Sequence, residues 1–420
     1  MESRERVERA LNHEETDRVP LDLGGSAVTG MHASTVYGLR QALELDPPGT
    51  PVKVHEPFQM LGEITPDLIE ALDVDVVGLI SLRTMFGYEF SKWKPWTTFD
   101  GTPVLVPEDF NTEPNPDGSI PMFAKGDRDT SPSAWMPKDG HYFDATERQK
   151  PLDWKNLDIK DNIEEYLPIS NEDLNYFGEQ ASKLHSTGKA ILANFGGTSF
   201  GDIALIPGLD MGDPRGVRGI KEWYMCHVRR PDYIKQIFDY QLEIALENLV
   251  KIYSKVGDKI TATFITGTDF GTQLKPIMSV PSFRKLYKPY HAKVNEWIHE
   301  NTSWKTFIHS CGSVESFIPD FIDSGFDILN PVQTSATNMD PQELKDKYGE
   351  KVTFWGGGVD TQSTLPFGTT DQVSKQVKER VRIFGKNGGF VFNTIHNVQP
   401  KIPIENVVAM YKALSELAHL

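Results

Sequence analysis

Short apolar runs recur along the chain, and each of them ends in a polar or glycine-rich turn. Eight such runs are present: Val19–Leu23, Val74–Leu79, Ala190–Phe195, Ile260–Ile265, Thr306–Ile308, Phe326–Leu329, Val352–Trp355 and Gly389–Phe392. Near-continuous apolar runs bounded by turn residues are typical of parallel strands that are buried on both faces of a sheet. The pattern therefore predicts eight buried strands.

Helical patterns separate most of these runs. They cover Asn171–Ser186, Tyr233–Ser254, Ser282–Glu300, Val314–Asp323, Pro341–Lys347, Asp371–Ile383 and Pro403–Leu417. Because alternating strands and helices form parallel βαβ units, the chain is expected to be an α/β protein. Eight units favour one domain over residues 1–420, a (β/α)8 barrel of the TIM type, although an open doubly wound sheet also fits the local pattern.

A long stretch rich in turns, about residues 92–160, separates the second and third runs. It contains the turn dipeptides Asp100-Gly101, Asp117-Gly118 and Asp139-Gly140, and short apolar segments such as Val104-Leu105-Val106 lie between them. This pattern predicts a small β meander inserted between strands 2 and 3, covering one face of the barrel. A loop with only local structure would produce a similar pattern.

The charge and the cysteine content of the chain indicate which partners it can bind and which cellular compartment suits it. The 420 residues carry 43 Lys and Arg against 59 Asp and Glu, a net charge of -16, which repels a phosphate backbone and argues against nucleic acid. Two cysteines cannot form a disulfide framework. The charged opening segment lacks an apolar core, and no apolar run reaches the roughly 18 residues that span a bilayer. A cytoplasmic protein without a membrane partner is expected.

Three residues with metal-binding side chains follow the predicted strands. His309 and Cys311 follow the fifth run, and His396 follows the eighth. Side chains two apart on an extended strand point the same way, so His309 and Cys311 face one point, and His396 approaches that point from another side of the barrel. Three ligands with one open position are typical of catalytic Zn²⁺. A buried thiol beside a hydrogen-bonded histidine has the same spacing.

Other polar residues at strand ends are candidates for catalysis or for contacts with a substrate. Asp269 is a candidate general acid or base, together with His309 and His396, but it could equally bind a metal or cap a turn. Cys226 lies in a helical pattern and is predicted to be a core residue. Four further residues are candidates for substrate contacts: Gln273, Asn330, Gln333 and Asp360. The last three, like Asp269, could instead support the metal ligands through hydrogen bonds.

Three segments carry a resemblance to a known family. The segment 307–312, Phe-Ile-His-Ser-Cys-Gly, resembles the H-x-C-G motif of the methylcobamide methyltransferase branch of the uroporphyrinogen decarboxylase superfamily. The segment 354–362 is similar to the seventh-strand motif of relatives in corrinoid-dependent demethylation, and 393–399 is similar to the C-terminal strand and loop of the superfamily. The resemblance covers most of the chain from about residue 190, together with the opening helix.

This resemblance implies a barrel that is often a homodimer, a zinc ion and a corrinoid. In the methyltransferase branch Zn²⁺ is held by the His and Cys of the motif, here His309 and Cys311, and by a third ligand, usually Cys, at the position of His396. The implied activity is transfer of a methyl group between a small substrate and a corrinoid. The substrate would be a methoxylated or methylated compound, as in O-demethylation, or an acceptor thiol. A partner protein would supply the corrinoid.

Two other functions are compatible with the same family. True uroporphyrinogen decarboxylases are similar in fold and carry a histidine at the position of His396, but they bind their substrate through an arginine-rich loop after the first strand. That loop, residues 22–28, contains no arginine here, and residues 78–81 lack the catalytic aspartate of those enzymes. The alternatives are thus a decarboxylase that uses His396 and Asp269, or a tetrapyrrole- or corrinoid-binding protein without turnover.

Overall fold

The protein is described from a computed structural model, which covers residues 1–417. The predicted domain extends to residue 420, and residues 418–420 lie outside the described part. The helices are α1 (Ser3–Leu11), α2 (Ala33–Ala42), α3 (Pro66–Ala71), α4 (Asn171–His185), α5 (Ile220–Arg229), α6 (Pro231–Val256), α7 (Val280–Leu286), α8 (Lys288–Asn301), α9 (Ile318–Asp323), α10 (Pro341–Tyr348), α11 (Thr364–Phe367), α12 (Thr370–Phe384) and α13 (Ile404–Leu417). The strands are β1 (Val52–Glu56), β2 (Leu61–Gly62), β3 (Val76–Leu79), β4 (Trp93–Thr97), β5 (Pro103–Pro107), β6 (Ile120–Met122), β7 (Ala134–Met136), β8 (Asp144–Ala145), β9 (Ala190–Ala193), β10 (Ala262–Thr266), β11 (Lys305–His309), β12 (Ile328–Asn330), β13 (Thr353–Trp355) and β14 (Phe390–Val391).

Seven parallel strands form a curled sheet in the order β3-β9-β10-β11-β12-β13-β14. The order along the sheet is the order along the chain, whereas a doubly wound sheet reverses its order at a switch point. The open-sheet alternative is therefore wrong. The fold is mixed α/β and is compatible with a barrel of the TIM type.

Residues 20–22 connect the two edges of this sheet. The Asp22 N–H donates to the Phe392 carbonyl at 2.9 Å, and the Phe392 N–H donates to the Pro20 carbonyl at 2.8 Å. On the other edge, the Asp75 N–H donates to the Leu21 carbonyl at 2.8 Å. The first predicted strand, Val19–Leu23, is thus represented by a single parallel bridge between Leu21 and Phe392 rather than by a full strand.

The stretch 92–160 holds five short strands in two antiparallel arrangements. β4 and β5 form a hairpin, and β6, β7 and β8 form a three-stranded sheet. β5 also pairs in parallel with β1, which pairs in turn with β2. The first hairpin therefore extends a sheet that begins at residue 52, a segment that was not predicted to form strands.

The interior of the curled sheet is filled by large apolar side chains. Phe264 stacks on Phe307 with 5.5 Å between ring centroids, and Phe307 contacts the edge of Trp355 at the same distance. Val7 and Leu11 of α1 belong to the same buried cluster and cover the amino ends of the strands. With the centre filled and one end covered, the carboxyl ends of the strands remain as the place for a site.

Among the described residues, no helix combines the length and the apolar character needed to cross a membrane.

Candidate metal centre

The three predicted metal ligands meet at the carboxyl ends of the strands. His309 is the last residue of β11, Cys311 lies two residues further, and His396 lies in the loop after β14. One ligand atom from each of the three lies within 4.8 Å of the other two. Cys311 Sγ is 3.3 Å from His309 Nε2, and the two imidazole ring centroids are 5.1 Å apart.

The donor set and its spacing suit a zinc ion. Zinc binds thiolate sulfur at about 2.3 Å and imidazole nitrogen at about 2.0 Å in a tetrahedron, so that neighbouring ligand atoms are roughly 3.3 to 3.6 Å apart. The observed limit of 4.8 Å requires only a small inward movement of the side chains. One sulfur and two nitrogens leave a fourth position for a substrate atom or water.

His309 is already oriented for a metal. Its Nδ1 lies 2.5 Å from Asn330 Oδ1, and because an amide oxygen only accepts hydrogen bonds, Nδ1 carries the proton. The lone pair of Nε2 therefore faces Cys311. Asn330 is fixed in turn, since its Nδ2 donates to the Trp355 carbonyl at 2.7 Å. An oxygen acceptor behind the ring is the usual support of a metal-binding histidine.

His396 is oriented differently. Its backbone is left-handed, with φ of 67°, and its Nδ1 accepts a hydrogen bond from the Asn397 N–H at 2.8 Å. A neutral ring that accepts at Nδ1 carries its proton on Nε2. Before His396 can bind a metal, the proton and the Asn397 hydrogen bond must rearrange, or the ring must rotate. His309 needs no such change.

The loop that carries His396 is held by residues that the sequence did not indicate. Asn397 Oδ1 accepts the Gly30 N–H at 2.6 Å, and its Nδ2 donates to Gln59 Oε1 at 2.9 Å. Gln59 is itself held by Glu56, whose Oε2 accepts the Gln59 N–H at 2.8 Å. The turn after β1 thus supports the third metal ligand.

The turn at Cys311 is held by three of the predicted site residues. Asp269 Oδ1 accepts the Cys311 N–H at 2.7 Å, and Gln333 Oε1 accepts the Gly312 N–H at 2.7 Å. Gln333 Nε2 donates to Gln273 Oε1 at 2.6 Å. These side chains lie at the site as predicted, and in this structure they fix the backbone that presents the thiol.

Asn330 and Asp360 both form hydrogen bonds within the protein. Asn330 is fully buried and both ends of its amide are bonded, so it supports His309, and its contact with substrate stays a prediction. Asp360 Oδ1 accepts the N–H groups of Gln362 and Ser363, at 2.7 and 3.2 Å, and caps a turn. Its contact with substrate stays a prediction. Cys226, by contrast, is fully buried, which confirms its place in the core.

Burial sets the protonation of the three ligands. It lowers the pKa of His309 to about 4, and burial, followed by the charge of His309, lowers the pKa of His396 to about 3. Burial also raises the pKa of the Cys311 thiol well above its usual value, and the nearby Asp269 carboxylate raises it further. Both imidazoles are neutral at pH 7, as ligands must be, while the thiol has to release its proton to a metal.

A second carboxylate lies beside Asp269. Asp202 follows β9 and is buried, and its Oδ2 is 2.9 Å from the point where a Cβ on Gly267 would lie, so that a larger residue at 267 would displace the carboxylate. Burial, followed by a backbone hydrogen bond that opposes it and by the charge of Asp269, sets the pKa of Asp202 at about 6. The sequence placed a polar turn after this strand, but Asp202 lies beyond that turn and carried no signal of its own.

The part of the chain that carries the three candidate ligands is similar to a known protein family. Residues 210–417 match the family model described as uroporphyrinogen decarboxylase (URO-D). This chain carries a URO-D domain. The match includes His309, Cys311 and His396, and it confirms the family that the three sequence segments indicated.

A solved structure extends the likeness beyond the URO-D match. A methyltransferase from Methanosarcina mazei superposes with a TM-score of 0.55 over 99% of this chain and 99% of its own, at 16% sequence identity. At that identity the likeness shows a shared fold, and it includes the residues before 210. No curated protein is similar enough to the chain to count as a match.

Proposed function

We propose that the protein is a zinc-dependent methyltransferase that moves a methyl group between a small substrate and a corrinoid held by a partner protein. The observation that carries the proposal is the approach of His309, Cys311 and His396 to within 4.8 Å at the strand ends of a URO-D domain. The likeness in fold to a methyltransferase supports it.

In this proposal the three side chains hold Zn²⁺ with one position open. The bound metal supplies a Lewis acid for the oxygen or nitrogen of a methylated substrate, or for the sulfur of an acceptor thiol. His309 contributes a ligand that Asn330 has already oriented, and Cys311 contributes a thiol on a turn that Asp269 and Gln333 keep in place. Rigid support of this kind limits movement during the reaction.

Asp269 is the proposed proton-handling residue. Its Oδ1 accepts the Cys311 N–H, so the other oxygen is available to hold or deliver a proton. Burial raises the pKa of Asp269 in the direction of neutral pH. A carboxyl group with a raised pKa is suited to protonating an alcohol or amine leaving group. Asp202 lies close enough for its charge to interact with Asp269 and could share that proton.

The partner protein is proposed to dock at the carboxyl ends of the strands. Leu274 follows Gln273 in the loop after β10, and its side chain is 74% exposed beside the site. The docking place rests on the position of the candidate ligands, because a corrinoid held by another protein has to reach them from the carboxyl ends of the strands. A homodimeric assembly and a cytoplasmic location remain part of the proposal.

A methyl-transfer assay tests this function. The protein is mixed with a reduced corrinoid and a panel of methoxylated, methylated-amine and thioether donors, and the cobalt absorption spectrum is followed. Conversion to the methylated corrinoid is expected with at least one donor, together with a rate that falls by about 100-fold or more in Cys311→Ala. An unchanged cobalt spectrum with every donor, and with acceptor thiols in the reverse direction, would contradict the proposal.

The decarboxylase remains the alternative because Asp269 and His396 interact electrostatically. The residues that follow the first predicted strand count against it. Asp22 is buried there, and its Oδ2 accepts the Trp355 indole N–H at 2.8 Å. None of residues 22–28 is basic, so this loop offers no cation to the carboxylates of a porphyrinogen. Binding of a corrinoid or tetrapyrrole without turnover, unaffected by Cys311→Ala, would instead favour a simple binding protein.

A further inference from the structure

A cavity lined in part by Asp202 contains none of the three candidate metal ligands. It has a volume of about 500 Å³ and lies between α4 and α6, at the ends of β3 and β9. Cavities that bind small molecules are typically about 300 to 1,000 Å³. The volume therefore suits a compound of one ring with a short side chain.

One part of the cavity wall is apolar, and polar and charged residues form the rest. The rings of Phe177 and Phe195 meet edge to face with 5.0 Å between their centroids, and α6 adds Ile244, Leu249 and Ile252. An aromatic or aliphatic ligand body would lose its contact with water here at little polar cost.

The charged groups of the cavity are predominantly acidic. Arg83 is occupied, because its guanidinium donates to Asp173 at 2.9 Å and to Glu172 at 2.5 Å. Asp202 and Asp210 also line the cavity, and neither makes an ion pair with any residue in the described part of the chain. An anionic ligand would meet these carboxylates without a free cation, whereas a cationic ligand would be attracted.

Two hydrogen-bond acceptors of the cavity wall are available to a ligand. Gln241 is 2% exposed, its Nε2 donates to the Gly197 carbonyl at 3.0 Å, and its Oε1 has no partner among the described residues. A buried amide oxygen without a donor is costly, so a donor from a ligand would be stabilising. Asp202 can likewise only accept when it is ionised.

The backbone on the β9 side of the cavity is open. Gly196 and Gly197 have φ of 74° and 80°, and a Cβ added to either would meet no atom within 4 Å. A flat ligand can therefore approach this turn closely.

We propose that this cavity binds a small organic ammonium compound. Its apolar body lies against Phe177 and Phe195, and its N–H groups face Asp202 and the amide of Gln241. The proposal goes beyond methyl transfer, because it assigns a binding site and a class of ligand that do not depend on the metal. Asp202 borders the loop of Gly267, which carries Asp269, so the ammonium end of the ligand faces the side of the metal centre.

Calorimetric titration of the full chain with three compounds of matched size tests the class of ligand. Benzylamine is a cation with donors, benzyl alcohol is neutral and benzoate is an anion. At pH 7.5 benzylamine is expected to bind about 10-fold more tightly than benzyl alcohol, and benzoate more weakly than both. Benzoate binding as tightly as benzylamine would overturn the proposal.

Three variants test the location. Ile244→Trp fills the cavity and should abolish binding of benzylamine and benzyl alcohol alike. Asp202→Asn keeps the volume and should lower benzylamine affinity by about 10-fold while leaving benzyl alcohol unchanged. Val250 lies on the same helix and is 54% exposed. Val250→Trp therefore serves as the control, and it should bind benzylamine and benzyl alcohol as tightly as the wild type does.

The outcomes separate this proposal from the metal centre. Unchanged benzylamine binding in Ile244→Trp would overturn the site. If Ile244→Trp has a lowered melting temperature, the test rests on Asp202→Asn. The role of the charge would be overturned if this variant lost affinity for benzylamine and benzyl alcohol equally, or lost affinity for neither. Zinc content is measured on the same samples, and it should equal that of the wild type in all three variants.

Discussion

At the scale of single residues, the two histidines of the candidate metal centre differ in the hydrogen bonds that their Nδ1 atoms form. Nδ1 of His309 donates to an amide oxygen, whereas Nδ1 of His396 accepts from a backbone N–H. The first arrangement leaves a lone pair ready for a metal, and the second does not until the hydrogen bond rearranges. The contribution of His309 should therefore depend on the side chain of Asn330.

Replacing Asn330 with leucine is expected to weaken zinc binding by about 10- to 100-fold, because the acceptor that fixes the His309 tautomer is lost. Competition with a chromogenic chelator measures the affinity. Asn406→Leu is the matched control, since Asn406 is also buried and donates twice to backbone carbonyls, but far from the metal. Equal zinc affinity in both variants would show that Asn330 has only a structural role.

The residues of the candidate site differ in how far the sequence could predict them. His309, Cys311 and His396 were predictable because they are metal-binding residue types at strand ends. Gln59 was not, since it belongs to no motif and its contact with Asn397 joins residues 338 positions apart. Asn397 lies in the segment 393–399, but nothing in the sequence indicated that it holds the loop of His396. Asn330 was predicted as a support of the ligands or a substrate contact, and the sequence alone could not choose, because it does not show whether a polar residue at a strand end faces the mouth or a neighbouring side chain.

At the scale of elements, the apolar patterns predicted the parallel strands and most helices within a few residues. The single predicted helix Ser282–Glu300 is divided into α7 and α8 at Tyr287, just before a proline that has no N–H to continue the first helix. β1 was missed because its alternation of buried and half-buried residues includes His55 and the buried Glu56, which read as polar. Long-range pairing with β5 stabilises that strand, and such pairing is not visible locally.

The turn after β1 gives a prediction at this scale. Gln59→Met retains the size of the side chain but removes the acceptor for Asn397, so the loop carrying His396 should become looser and zinc affinity should fall by about 10-fold. With Co²⁺ in place of zinc, the visible absorption should weaken as the third ligand is lost. A visible spectrum identical to that of the wild type would mean that the β1 turn does not position His396.

The attachment of α1 gives a prediction about acid stability. Arg6 of α1 donates to Asp17 at 2.6 Å and to the buried Asp75 at 2.6 Å. The Arg6 hydrogen bond holds the pKa of Asp17 well below its unfolded value of about 3.9. This stability is present above the unfolded pKa and is lost as the pH falls from about 5 towards the folded pKa.

Asp17→Asn should therefore lower the free energy of unfolding at pH 7 by no more than about 1 kcal/mol, because the Asp17 side chain is 42% exposed and partly screened by solvent. The difference from the wild type should shrink as the pH is lowered from 5 towards 3. Urea unfolding at several pH values measures it. Asp213→Asn removes an exposed pair with Lys150 and should change nothing measurable. A difference that stays constant with pH would contradict the assignment.

At the scale of the whole molecule, seven parallel strands follow one another in chain order, and the three candidate metal ligands lie at their carboxyl ends. The alternation of strands and helices predicted the parallel strands, but it also fitted a doubly wound sheet, and the strand order of the structure decides between the two. The cavity between α4 and α6 could not be predicted, since its walls come from segments more than 150 residues apart. The net charge of -16 agrees with a small-molecule or protein partner rather than nucleic acid.

Metal content tests the central claim most directly. Elemental analysis of the purified protein is predicted to find about one zinc per chain, and that zinc should be lost in Cys311→Ala and in His396→Ala. Cys226→Ala, which removes a buried thiol outside the site, should keep its zinc. Absence of metal in the wild type, even after reconstitution with Zn²⁺, would contradict the account and leave a URO-D domain whose chemistry does not use this site.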